Sequence, residues 1–198
     1  MKRFLVLLIL MAVSCSEVYA ASCEEALVTV FGNEGGYQNY KNDTGNFRLG
    51  KNCGGTKFGL TCRDHKGIDI KNLTKERAAS IYTKDQCAQL RFTELEGQKI
   101  PTKFLDLAVN MGTGTSINLF LKTLNRLNGI DLLPVNGVMS EEAIQIYNYY
   151  TQDKDQRSIF YLTLILTALD RYTDIVKKNP KQGAWLLSWI IRLNPYSD

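Results

Sequence analysis

The stretch FGNEGGYQNYKNDTG, Phe31 to Gly45, marks where a helix must end and a polar loop must begin. Upstream, Ser22-Cys23-Glu24-Glu25 reads as a capping box, a hydroxyl N-cap with Glu three residues on. Ala26, Leu27, Val30 and Phe31 follow at helical spacing, and Gly35 and Gly36 supply the stop. Glu34 falls four residues after Val30 and seven after Leu27, so it continues the apolar stripe. A carboxylate in that position is costly unless something uses it.

Outward from this stretch, residues 37–72 are polar and rich in Gly and Asn, which predicts a loop or small β-hairpin. Thr74 is placed to cap a helix running to about Arg91, with Ala78, Ile81 and Tyr82 inward. Pro101 suits the first turn of the next helix, which turns Phe104, Leu105, Ala108 and Val109 to its apolar side and stops at Gly112. Another helix, from Thr115, carries Ile117, Phe120, Leu121, Leu124 and Leu127 and closes at Gly129. Pro134 to Met139 reads as a turn, and Ser140-Glu141-Glu142 as an acid-rich helix start. A long helix is expected over Asp155 to Lys177, with Ile159 to Leu166 apolar nearly all round and therefore expected to be buried. Asn179-Pro180 breaks it, and Gly183 to Arg192 forms a last helix with Trp185 and Trp189 on one face. The fold class is mainly α, with a soft boundary near Gly112–Ser116 or Gly129–Gly137.

Hydrophobic residues make up 44% of the 198-residue chain and charged residues 22%, values of a globular protein. The formal charge of +4 is mild and dispersed, which argues against nucleic acid and suits a polyanionic polymer without demanding one. Lys2 and Arg3 precede the apolar run Phe4 to Val13, and Val18-Tyr19-Ala20 closes it as a small-residue cleavage site. Residues 1–20 thus have the layout of a secretory signal peptide, which implies export to the periplasm or beyond; lipidation at Cys15 and an uncleaved anchor that is later released are the rival readings. Beyond Ala20 remain Cys23, Cys53, Cys62 and Cys87. In an oxidising compartment these suggest two disulfides out of three pairings, and we favour Cys53 with Cys62 closing a short Gly-rich loop and Cys23 with Cys87 tying the first helix to a later one.

The only histidine, His65, lies in the charged loop CRDHKG and reads as a solvated residue. That leaves too few ligands for a zinc site of the usual kind, no phosphate-binding Gly loop appears, and no metal or cofactor is expected. Carboxylate chemistry remains. Glu34, against apolar neighbours, should hold its proton longer than an exposed acid because burial disfavours the ion. Asp43, nine residues on in a polar loop, should stay ionised. Two carboxylates in opposite environments suit an acid and its partner across a glycosidic bond, and Thr56 in CGGTKFGLT could position a water. The bland alternative is a turn-capping Glu34 and a solvated Asp43.

The motifs themselves add to this. Glu34-Gly35-Gly36-Tyr37, then Asn42-Asp43, Gly54-Gly55-Thr56 and Gly59-Leu60-Thr61 resemble the N-acetylmuramidases of glycoside hydrolase family 108. Asn46 to Cys53 must be treated as an insertion for them to fall in step. "DIKNLTKERAASIYTKD", "FLDLAVNMGTG" and the tail "GAWLLSWIIR" resemble later family motifs, the tail that of a peptidoglycan-binding module. The resemblance implies a lysozyme-like helical fold that cleaves the bond between N-acetylmuramic acid and N-acetylglucosamine. It makes Glu34 the catalytic acid, with Asp43 and Thr56 in support and Gly35, Gly36 and Tyr37 in contact with substrate; Asn110, where family members carry Asn, is either a further substrate-side residue or a buried structural amide. It divides the chain into residues 21–114, catalytic, and 115–198, a helical peptidoglycan-binding region. The expected partner is the glycan strand of peptidoglycan, and an immunity or secretion-apparatus partner is compatible with an exported enzyme.

Tyr40, Lys41 and Thr44 replace family prolines and an aspartate, and the inserted loop falls within the active-site region. Two rivals stand beside the enzyme: a catalytically inactive peptidoglycan-binding or scaffolding protein on a muramidase fold, and a cysteine peptidase using His65 and one free thiol. Tyr147, Tyr149 and Tyr150, and Trp185 and Trp189, read as packing aromatics.

Overall fold

The computed structural model describes residues 19–33, 36–41 and 44–193. Helix α1 (Cys23–Asn33) starts where the capping box places it, with the Glu25 amide donating to Ser22 Oγ at 3.2 Å. The loop region forms two minimal antiparallel hairpins. Strand β1 (Phe47–Arg48) pairs with β2 (Lys51–Asn52), and β3 (Thr56–Lys57) with β4 (Leu60–Thr61). Helix α2 (Lys75–Tyr82) is capped by Thr74, whose Oγ1 accepts from the Arg77 amide, and continues through a wider π-helical turn, Thr83–Cys87. Ala78, Ile81 and Tyr82 are buried as their spacing predicts.

Helix α3 (Lys99–Met111) stops at Gly112, which adopts φ +86°, and α4 (Thr113–Asn128) follows at once, two residues earlier than the sequence suggests. Gly129 closes α4 in the left-handed region. Buried Asn125 then pins the following loop by pairing with both the amide and the carbonyl of Leu133, each at 2.8 Å. Helix α5 (Glu141–Thr151) is capped by Ser140, α6 (Lys154–Lys178) by Asp153, and α7 (Gly183–Leu193) follows the Pro180 break.

One apolar core runs from α1 to α7. Phe120 of α4 sits at its centre, stacked on Phe104 at 4.5 Å and tilted against Tyr147 and Phe160 at 5.2 Å, so a single ring joins α3, α4, α5 and α6. Tyr147 is therefore core, as its neighbours at helical spacing suggest, whereas Tyr149 points to solvent.

Two expectations about the C-terminal helices need correction. Ile159, Leu162 and Leu166 are exposed, because α6 packs on α4, α5 and α7 through Phe160, Leu164, Ala168 and Tyr172 and leaves its other face in water. Trp185 is also exposed; only Trp189 packs, stacked on Tyr172 at 5.0 Å. Among the described residues no helix is long and apolar enough to cross a membrane.

A buried ion cluster fastens α7 to α3. Arg192 Nε and Nη2 reach Asp106 Oδ1 at 3.0 and 2.9 Å, and Lys103 Nζ donates to Asp106 Oδ2 at 3.3 Å and to the Arg192 carbonyl at 2.8 Å. Lys103 and Asp106 are fully buried. Burial pushes the Lys103 ammonium below its ordinary pKa, opposed by the Asp106 carboxylate.

Candidate active site

The C-terminal end of α1 is held by aromatic packing. Phe31 lies 5.7 Å from both Phe58, at the β3–β4 turn, and Tyr82, at the end of α2, while Tyr82 Oη donates to the Phe58 carbonyl at 2.9 Å. Disulfide Cys23–Cys87 ties the start of α1 to the segment after α2, and Cys53–Cys62 joins the end of the first hairpin to the end of the second. Both pairings are those the spacing favours. With Cys23, Cys53, Cys62 and Cys87 all oxidised, no free thiol remains among the described residues for the cysteine-peptidase reading. His65 is half-buried rather than solvated, with Nδ1 3.2 Å from the Thr61 carbonyl that caps its turn.

Glu34, Gly35 and Asp43 lie outside the described residues. Gln38 joins the second hairpin, exchanging both backbone hydrogen bonds with Thr56 at 2.9 and 2.8 Å. The Tyr37 ring, partly exposed, covers Gly55. A Cβ on Gly55 would come within 2.4 Å of the Gln38 carbonyl and 2.8 Å of Tyr37 Cε2, and its φ is +87°, so only glycine fits. The opposite holds at Gly36, where a Cβ would meet no described atom within 4 Å. Among the described residues nothing covers that side of the backbone.

Thr56 is oriented by a residue that sequence reasoning placed in an insertion. Asn46 is fully buried. Its Nδ2 donates to the Tyr40 carbonyl at 3.0 Å and to Gln38 Oε1 at 3.1 Å, and its Oδ1 accepts from Thr56 Oγ1 at 2.8 Å. A backbone carbonyl can only accept, so the amide orientation is fixed, and the Thr56 hydroxyl must spend its proton on Asn46. The hydroxyl oxygen then offers only lone pairs. It can accept a hydrogen from a water or a sugar hydroxyl, and cannot donate one. Asn46 also accepts the Cys53 amide through its carbonyl at 2.9 Å. One amide thus organises residues 38 to 56. The only sequence signal for it was an asparagine between a glycine and a phenylalanine, too common a pattern to single out.

Asn110, near the end of α3, accepts at Oδ1 from Tyr172 Oη at 2.7 Å. Tyr172 in turn stacks on Trp189, so Asn110 belongs to a polar and aromatic chain linking α3, α6 and α7. The structure brings Tyr37 against Gly55 and pairs its neighbour Gln38 with Thr56, whereas Asn110 has its own partner on a different helix. Among the described residues no three His, Cys, Asp or Glu side chains gather as a metal site.

Comparison with known proteins extends this. No curated protein matches the chain. Eleven chains of solved structures match. Among them is the structure of SagA from Brucella abortus, 21% identical, with a TM-score of 0.64 over 86% of this chain and 88% of that one. At that identity the likeness speaks for the fold, a lysozyme-like helical fold with a small hairpin region. Residues 27–112, the span that holds Glu34, Asp43, Thr56 and Asn110, match the family described as glycosyl hydrolase 108.

Proposed function

We propose that the protein is an exported peptidoglycan hydrolase that cleaves the bond between N-acetylmuramic acid and N-acetylglucosamine. The observation that carries this reading is the glycosyl hydrolase 108 match over residues 27–112, a span that includes the EGGY stretch and the second hairpin. The orientation of Thr56 by Asn46 supports it from the geometry.

Glu34 is the general acid. It delivers a proton to the glycosidic oxygen as the bond to the anomeric carbon breaks. Asp43 remains ionised and either stabilises the positive charge that develops on the sugar or takes a proton from the attacking water. Thr56, with its own proton held by Asn46, accepts one hydrogen of that water and leaves the oxygen lone pair to attack. Gly35 and Gly36 let the glycan approach the backbone, and Tyr37 offers a ring face to a sugar. Asn110 supports the substrate side through its free amide hydrogens. No metal or organic cofactor takes part in this scheme.

We assign residues 21–114 to catalysis and 115–198 to holding the wall. The 470 Å³ hollow at the end of α4, lined by residues including Lys122, Arg126, Ile130 and Val135, is open for such a contact. Cleavage of residues 1–20 would release the protein to the periplasm or beyond, where two disulfides are stable. An immunity or secretion-apparatus partner belongs to that setting.

The test is digestion of purified peptidoglycan by the oxidised protein and by Glu34→Gln, with new reducing ends identified by mass spectrometry. N-acetylmuramic acid ends from the wild type, lost in the variant, are expected. Intact glycan from both proteins, with binding retained, would replace the enzyme by the inactive scaffold.

A further inference from the structure

The two hairpins turn through the same backbone geometry with opposite consequences. In the second, Phe58-Gly59 adopts φ +52° and +75°; in the first, Leu49-Gly50 adopts φ +50° and +76°. A bulky residue at positive φ is strained, and such turns favour Asn or Gly at the first position. Phe58 is held there by compensation. Its ring packs on Phe31, Lys57 Nζ lies over its face at 5.3 Å, and its carbonyl accepts from Tyr82. Leu49 has no such compensation. It is 95% exposed.

The strands beside Leu49 add a second cost. The register sets Arg48 directly opposite Lys51, and like charges across a strand pair repel. Neither side chain has a hydrogen-bond or ion-pair partner among the described residues. Yet the hairpin is firmly anchored at its base. Asn39 and Asn52 exchange side-chain amide bonds at 2.7 and 3.4 Å, Asn46 sits at the entry to β1, and Cys53–Cys62 closes the exit. A rigid base thus presents a strained, exposed leucine between two opposed cations. Departures from local preference that cluster on a fixed scaffold are the mark of a binding element.

We propose that the β1–β2 hairpin is a recognition arm for short acidic peptides, with Arg48 and Lys51 sharing a carboxylate and Leu49 covering an adjacent aliphatic side chain. A carboxylate between the two cations removes their repulsion and meets the charge they present. Peptidoglycan carries peptides with free carboxylates and small aliphatic side chains on its muramic acid. The arm therefore deepens, and rests on, the reading of this site as a peptidoglycan hydrolase. It makes the enzyme prefer strands that still carry their peptides.

The experiment compares peptide-bearing glycan strands with strands stripped of peptide by an amidase. Binding of a soluble muramyl peptide to the same proteins is measured by calorimetry. Arg48→Ala combined with Lys51→Ala is expected to lower kcat/KM about tenfold on peptide-bearing strands and leave stripped strands unchanged, as for loss of two partly exposed charge contacts. Leu49→Asn is expected to lower the same ratio about threefold while keeping or raising the melting temperature, which a merely structural leucine would not do. Equal rates for variants and wild type on peptide-bearing strands, or equal losses on both substrates, would overturn the arm and leave the hydrolase intact. If neither substrate is cleaved, the hydrolase reading fails and calorimetry decides the arm. Muramyl-peptide binding weakened by the double variant upholds it; binding that is absent, or equal in variant and wild type, overturns it.

Discussion

Asn46→Ala tests whether one buried amide organises the site. It removes three side-chain hydrogen bonds, to Tyr40, Gln38 and Thr56, from a fully buried position. At about 0.5–1.5 kcal/mol net for each bond, with part of the cost recovered where water reaches the freed groups, the loss is about 2–4 kcal/mol. For a protein of this size that lowers the melting temperature by about 5–12 °C. Asn46→Asp keeps the shape and separates hydrogen bonding from packing. Its carboxylate would face the Tyr40 carbonyl where Nδ2 now donates, so its folded pKa should rise above the unfolded value of about 3.9. The folded state then binds more protons than the unfolded state between the two pKa values. The variant's stability falls as pH rises through that window. Near pH 3.5 the protonated acid can still donate to Tyr40 and accept from Thr56, so its cost is small; by pH 7 it approaches or exceeds that of Asn46→Ala. Urea unfolding of the oxidised proteins at both pH values, followed by circular dichroism, measures this. A cost below about 1 kcal/mol for the alanine variant, or a pH-independent cost for the aspartate variant, would refute the assignment of Asn46 as the organising residue.

Four further outcomes follow from the geometry. Thr56→Val should lower glycan cleavage by about ten- to a hundredfold with little change in KM, and Thr56→Ser should restore most of it, because the role requires a hydroxyl that accepts from water; steady-state kinetics on purified peptidoglycan measures both. Asp106→Asn strands the buried Lys103 ammonium and loosens Arg192, so it should cost about 3–5 kcal/mol in urea unfolding. Because the Lys103 pKa is depressed in the folded state, the unfolded state binds the extra proton just below 10.5, so this lysine makes stability rise with pH there, a contribution that Lys103→Met should abolish in a difference measurement. Replacing Cys53 and Cys62 by alanine should cost about 2–3 kcal/mol from the short loop they close, against about 4 kcal/mol for Cys23 and Cys87, which are 64 residues apart; thermal unfolding of the two variants ranks them.

The sequence by itself determined the helices and their stops, because caps, glycines and apolar spacing act over a few residues. Ser22, Thr74, Ser140, Gly112 and Gly129 all do in the structure what their chemistry predicts. It also favoured the disulfide pairings. What only the tertiary structure decided is which faces are covered. The apolar run Ile159 to Leu166 looks buried on every side, yet three neighbouring helices cover only one part of it, and no local pattern counts neighbours. Asn46 is the same lesson at the site. A side chain whose partners are a carbonyl six residues back, an amide eight residues back and a hydroxyl ten residues on gains its meaning only when the loop folds over it. Burial then makes every unpaired donor or acceptor costly.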